Sequence, residues 1–362
     1  MVRPSGRAGM GKRIAVIERK SIHHDPGCDI SQREAEVLTS YDILSNWRNT
    51  LVVPGCPPIW SPPPLPIRIP ADKDEDPTHP RQPARLNFPT CPLEPLFRAL
   101  PITRPTLSLR SFDIITDRHS LRELLAFLGS DAADFQINAE VVANTLLLSG
   151  QARFWGSASD GYGKSLERRF TRRQECSRES VMHCRAVGYT LGGLRLLVRF
   201  EVDACIGEEE AAAEEVELEP PREVPVTPTG VRIVPGGVLV PEESIVELKS
   251  KAKGKRYIRQ AEQLWFSRTP ILIIGYHEGG GNIVEVEQRD VEKTGWLEKW
   301  ELTNTEKLQK LVRALEMLRT VMVVRGGRFA VVTQKRQSAL SVYEMQKSSQ
   351  FGLPEDIKAG WK

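Results

Sequence analysis

Apolar and polar residues alternate with a period of two from Leu194 to Asp203, which predicts a strand. Leu194, Leu196, Val198, Phe200 and Val202 go to one face, and Glu201 and Asp203 to the other. A second strand is predicted around Val246-Glu247-Leu248-Lys249, where Val246 and Leu248 turn inward and Glu247 and Lys249 share the opposite face. Further strands are expected at Phe112 to Thr116, within Phe135 to Leu148, at Pro270 to Tyr276, at Ile283 to Val286 after a turn at Gly279 to Gly281, and at Phe329 to Thr333. Helical spacing gives Ser120 to Leu128, with Leu121, Leu124, Leu125 and Leu128 on one face and Gly129 closing it. It also gives a helix through Tyr257, Ile258, Ala261, Leu264 and Trp265. A third helix starts at the capping box Thr303-Asn304-Thr305-Glu306 and buries Leu308, Leu311, Val312, Leu315 and Leu318. The expected fold is α/β (α+β): one domain over residues 108–335, with a mixed central sheet flanked by helices.

The remaining segments lack period. Residues 1–40 mix charge and glycine and are expected to be disordered or an arm laid over the domain. Residues 41–107 read as an irregular proline-rich belt, because 16 prolines lie between Pro54 and Pro105 and each removes a backbone donor. Glutamates crowd residues 207–230, which predicts a flexible acidic insertion. Residues 336–362 are expected to be a loose tail.

Composition adds little to this picture. With 362 residues, 27% charged and a formal net charge of +3, phosphate affinity must come from local clusters. The densest is Lys249, Lys251, Lys253, Lys255, Arg256 and Arg259, and another is Arg168, Arg169, Arg172 and Arg173. The six cysteines have no framework spacing and are expected to be free thiols in a reducing compartment. Cys176, His183 and Cys184 do not complete a zinc pattern. The apolar run Ile14 to Ile17 is too short for a signal-peptide core and no stretch approaches the length of a membrane span, so the expected location is intracellular, nuclear or cytoplasmic.

The chemistry centres on these two strands. If they are neighbours, three carboxylates and an ammonium on adjoining polar faces form a donor set for a hard cation such as Mg²⁺ or Mn²⁺ with a lysine beside it. The bland alternative is a salt-bridged, solvated sheet face. The order E-x-D, E-x-K, helical glutamine and apolar strand, with Gln263-Leu264-Trp265-Phe266-Ser267-Arg268-Thr269-Pro270 running into Ile271 to Tyr276, resembles the DXO-like family of RNA 5′-end decapping exonucleases. The core of that family is similar to the PD-(D/E)xK nucleases. Thr116-Asp117-Arg118-His119-Ser120-Leu121 is similar to the family's first motif, and Gly163-Lys164-Ser165-Leu166-Glu167 to its second. The chain departs from the pattern at His119, Lys164 and His277. The resemblance covers roughly residues 110–335 and implies that Glu201, Asp203 and Glu247 hold metal with Glu167 as a fourth carboxylate. It also implies that Lys249 and Gln263 serve water and phosphate, and that Arg118 contacts substrate. Lys251 and Lys253 are expected to bind the nucleic acid. Periodicity alone leaves Gln263 exposed; only the resemblance turns it toward the cleft. The expected activity is metal-dependent hydrolysis at RNA 5′ ends, as decapping, pyrophosphohydrolysis or 5′-3′ exonuclease action. The alternative is a catalytically weak or inactive RNA-binding relative that stabilises a partner exonuclease.

Overall fold

In the computed structural model, residues 9–44, 49–74, 91–129, 133–150, 161–207, 226–255, 260–334, 337–346 and 351–361 are described. The strands are β1 (Met10–Glu18), β2 (Arg33–Leu44), β3 (Thr50–Gly55), β4 (Ile59–Trp60), β5 (Ile67–Arg68), β6 (Ile114–Asp117), β7 (Phe135–Val142), β8 (Thr145–Gly150) and β9 (Thr171–Arg172). They continue as β10 (Ser180–Leu191), β11 (Leu194–Glu201), β12 (Ala204–Cys205), β13 (Arg232–Gly237), β14 (Ile245–Ala252), β15 (Ile271–Glu278), β16 (Asn282–Asp290), β17 (Gly327–Thr333) and β18 (Ala339–Met345). The helices are α1 (Glu94–Thr103), α2 (Arg118–Leu128), α3 (Gly163–Phe170), α4 (Ala261–Ser267), α5 (Trp296–Val323) and α6 (Glu355–Ala359).

Two mixed sheets result. The larger runs β1-β18-β17-β7-β8-β6-β11-β10-β2-β3-β13 and the smaller β5-β16-β15-β14-β12-β4-β9. On one face of the larger sheet, Leu121, Leu124 and Leu125 of α2 and Leu308, Leu311, Leu315 and Leu318 of α5 form the main core with the strand side chains. On the other face, Leu96, Phe97 and Leu100 of α1 and Ile357 and Trp361 at the C-terminus close a second core over Leu38, Tyr41 and Leu51. The expected mixed sheet with flanking helices is present, divided into two sheets.

The chain changes sheets within one run. β11 belongs to the larger sheet, pairing with β10 and, in parallel, with β6. After the two residues that follow Glu201, β12 joins the smaller sheet and sets Ala204 against Val246 of β14. The E-x-D and E-x-K strands are therefore not direct neighbours along their length. They meet through β12 at the seam between sheets.

Several expectations are corrected. Residues 10–18 and 33–44 are strands rather than an arm or disorder, and β1 pairs with β18, so the tail also enters the sheet. The reason is that an edge strand needs little apolar content: in β1 only Ile17 is buried, and the pairing partner lies more than 300 residues away in sequence. The belt is partly regular, with Pro54 inside β3 and Pro95 in the first turn of α1, where an N–H is not needed. α5 begins at Trp296, so Thr303 lies inside it and its hydroxyl donates to the Lys299 carbonyl at 2.8 Å instead of capping. Cys56 and Cys176, 120 residues apart, are joined as a disulfide, whereas Cys28, Cys91, Cys184 and Cys205 are free thiols. His183, once weighed with Cys176 as a ligand, is buried against Asp42 at 3.1 Å. Residues 208–225 of the acidic insertion and 75–90 of the belt lie outside the described residues. Among the described residues no helix is long and apolar enough to cross a membrane.

Removing residues 1–18 should strip the outer partner from β18, expose the apolar side chains beneath Ile17, and lower the melting temperature by roughly 5–10 °C. Thermal unfolding followed by intrinsic fluorescence checks this. An unchanged midpoint would mean that the β1–β18 pairing contributes nothing to stability.

Candidate functional site

Glu247 is the centre of the site. It lies in β14 between Val246 and Leu248, its side chain is 2% exposed, and side chains from its own strand and two helices reach it. Lys249, two residues on and so on the same side of the strand, donates from Nζ to Oε1. Gln263 of α4 donates Nε2 to the same oxygen. Arg118, the first residue of α2, donates from Nη1 to Oε2 at 3.2 Å. Arg118 is delivered there because β6 runs parallel to β11 with Asp117 opposite Arg199, so the chain leaves β6 at the seam. Asp117 then caps α2 by accepting from Ser120 N at 2.7 Å.

The other carboxylates surround this group. Asp203, on the two-residue crossing between sheets, accepts from the Leu248 amide at 2.8 Å and lies 3.8 Å from Lys249 Nζ. Glu201 ends β11. Glu167 comes from α3, which packs closely on β15 because Gly275 has no side chain; a Cβ there would stand 2.7 Å from Leu166.

Burial and mutual repulsion set the electrostatics. Burial, then the neighbouring Glu247 charge, pushes Asp203 up to about 7. Glu167 is raised well above the usual carboxylate range by burial and then by Asp203, and Glu201 is raised mainly by burial. Glu247 alone goes down: burial opposes its charge, but the Lys249 ammonium and Arg118 guanidinium outweigh that cost. Lys249 is held protonated despite burial by Glu247 and Asp203.

The structure brings together Arg118, Glu167, Glu201, Asp203, Glu247, Lys249 and Gln263. It does not bring Lys251 or Lys253. Lys251 lies toward Arg289 and Glu287 of β16, and Lys253 pairs with Glu278 at 3.1 Å on the surface. Arg173 is turned away, donating to the carbonyls of Ser177 and Ser180. Two supporting residues were not singled out from the sequence. Ser267 Oγ accepts from Arg118 Nη1 at 3.3 Å, and its spacing of four from Gln263 on α4 was the available signal. Phe200 was read as core alone, yet its ring lies 5.6 Å beneath the Arg118 guanidinium.

Among the described residues, no three His, Cys, Asp or Glu side chains are arranged to hold a metal ion as they stand. Both Glu247 oxygens are taken, and Lys249 supplies the positive charge between Glu247 and Asp203. The donor chemistry nevertheless suits a hard cation. The acids converge with their charged forms disfavoured, and Lys249 and Arg118 relieve chiefly Glu247.

The two-sheet α+β fold with an acid-rich seam places the chain in a class that the comparisons define. It belongs to the family described as "Domain of unknown function (DUF8563)", whose model matches residues 12–361. No curated protein sequence matches it. Its fold is that of the Rai1 and Dxo1 structures. S. pombe Rai1 is 13% identical with a TM-score of 0.60, covering 91% of this chain and 99% of that one. Candida albicans Rai1 in complex with pU5-Mn²⁺ is 13% identical with a TM-score of 0.58, covering 90% and 94%. K. lactis Dxo1 in complex with manganese is 12% identical with a TM-score of 0.57, covering 94% and 99%.

In metal-free protein the raised acids have a pH consequence of definite sign. The folded state binds more protons than the unfolded one between the ordinary aspartate value of 3.8 and about 7, so stability should fall as pH rises through that window. Melting temperatures measured from pH 4 to 8 in EDTA check this. Asp203→Asn should show a shallower decline than wild type, and identical slopes would mean that Asp203 is not the titrating acid.

Proposed function

We propose that this chain is a divalent-metal-dependent hydrolase acting on the 5′ ends of RNA, cleaving phosphodiester or 5′-end pyrophosphate linkages. The observation carrying this reading is the convergence of Glu201, Asp203 and Glu247 with Lys249 and Gln263 at the sheet seam, in a fold shared with Rai1 and Dxo1. Glu201, Asp203, Glu247 and Glu167 are the residues that would hold Mg²⁺ or Mn²⁺. Such an ion, when bound, supplies Lewis-acid polarisation and a nucleophile at neutral pH. Lys249 is assigned to the charge that develops on the phosphate, Gln263 to orienting water or phosphate, and Arg118 to a substrate phosphate, for which a guanidinium fork is suited. The wider basic surface, Lys251 and Lys253 included, is assigned to the nucleic-acid chain. The complexes of the similar proteins with manganese and with pU5 support a metal and an RNA here.

A second reading draws on the engaged state of Glu247: an RNA-binding relative without catalysis that stabilises a partner exonuclease. Labelled RNAs bearing a 5′-monophosphate, a 5′-triphosphate or a cap, incubated with Mn²⁺, Mg²⁺ or EDTA, decide between the two. Metal-dependent cleavage supports the hydrolase; binding without cleavage of any of them removes it.

On the hydrolase reading, added Mn²⁺ should raise the melting temperature of wild type and not of a folded Glu201→Gln, Asp203→Asn protein. Lys249→Ala should lower cleavage by roughly 10²–10³-fold with RNA affinity within a few fold, because its ammonium acts mainly on the transition state. Cleavage and binding assayed side by side check this. Normal turnover of Lys249→Ala at saturating RNA would make the lysine part of the basic surface only.

A further inference from the structure

We propose that Tyr162 and His277 form a stacking platform for a nucleobase of single-stranded RNA, at the rim beyond the carboxylate centre. This rests on the reading of the site as one that acts on RNA. The two rings are paired with centroids 4.7 Å apart and planes inclined at 55°. Both residues are half-buried, with Tyr162 packed at the edge of the cluster formed by Ile69, Leu166, Phe170 and Ile283.

Their placement follows from the topology. β14 and β15 run parallel, Lys249 lying opposite Ile274 and Ala252 opposite His277. His277 is thus three strand positions beyond Lys249 toward the C-terminal ends of both strands, an odd offset that turns its side chain to the opposite face of the sheet, where Leu166 of α3 packs over Gly275. Tyr162 stands at the entrance of α3, five residues before Glu167, and its carbonyl accepts from Leu166 N at 2.9 Å. One helix therefore carries both an acid of the centre and a ring of the rim.

The ring of Tyr162 is held in advance of any ligand. Gly281, at φ +78°, lies directly behind it, and a Cβ at that position would come 2.5 Å from the ring. Cations border the pair. Lys164 is exposed two residues along, and Arg68 donates to the Gly280 carbonyl at 3.2 Å. The amide of Lys253 donates to the His277 carbonyl at 2.9 Å, which fixes the lysine turn to this edge. Rings for bases with cations for phosphates are the two components of sequence-tolerant single-strand binding.

The test uses the full chain in a Lys249→Ala background, so that RNA is not consumed, with Mg²⁺ and a fluorescent oligoribonucleotide. Tyr162→Leu and His277→Leu should each weaken binding by roughly tenfold, the scale of one lost base stack. Tyr162→Phe and His277→Phe should stay within about threefold of the parent while retaining stacking. The salt dependence of binding should be the same in all, since no phosphate contact is removed. In an oligonucleotide carrying 2-aminopurine, binding to the otherwise unaltered protein should quench the base's fluorescence, and the Leu variants should lose the quench; this readout does not depend on absolute affinity. Leu variants that bind and quench like the parent overturn the platform and leave the hydrolase reading intact. Phe variants as weak as the Leu variants would equally exclude stacking. A wild-type chain that binds none of these RNAs removes the hydrolase reading, and the platform with it.

Discussion

A buried carboxylate with partners from three elements is the constraint that the functional end of this molecule depends on. Glu247 is 2% exposed and ionised, a state that burial opposes strongly. It is maintained because Lys249 from its own strand, Gln263 from α4 and Arg118 from α2 all converge on it. Deleting one partner of a buried pair of this kind costs about 3–5 kcal/mol, since the other charge is left uncompensated. The same contacts therefore fix α2 and α4 against β14. Ser267 extends the tie by accepting from Arg118 and sharing a 2.8 Å hydrogen bond with Thr269.

That group is in reach of the E-x-D strand only because the chain crosses between sheets. If β11 had continued in the larger sheet, Asp203 would have stayed on a surface away from β14. Instead β12 pairs with Val246 and Ile245, and the crossing residue Asp203 is locked by the Leu248 amide. The backbone thus positions an acid whose charge it does little to neutralise. This is why Asp203 is raised to about 7 while Glu247, two residues from its lysine, is lowered.

Much of this could be read in the sequence. Period-two alternation assigned Glu201 with Asp203 and Glu247 with Lys249 to common faces, because strand geometry is local. The convergence of the two pairs was not local, and the crossing at Val202–Asp203 left no mark in the pattern. Gln263 shows the limit of periodicity: α4 has seven residues, too few for a stripe to define a facing direction, and its glutamine reaches Glu247 although the apolar residues point elsewhere. Lys253 shows the opposite error, since density of charge in the sequence did not reveal that Glu278 opposes it. The strand β1 and the Cys56–Cys176 pair were missed because each depends on a partner far along the chain, and β2 takes most of its pairing from the distant β10.

The charge balance at the seam has a further implication. Four acids, Glu167, Glu201, Asp203 and Glu247, share two nearby cations, Lys249 and Arg118, with Arg199 acting on Glu201 from the far side. Both nearby cations are engaged by Glu247, and the other three acids are raised, by burial first and by neighbouring acids next. Only two kinds of species can close the charge deficit without unfolding the seam: protons or an added cation. Protons close it at mildly acidic pH, at the expense of the acids' ability to act as ligands or bases. As pH rises through neutrality, where an Asp203 at about 7 gives up its proton, the pocket's demand for external positive charge grows. That demand is built into the fold by burial and by the sheet crossing, and Lys249 can lower it but cannot satisfy it.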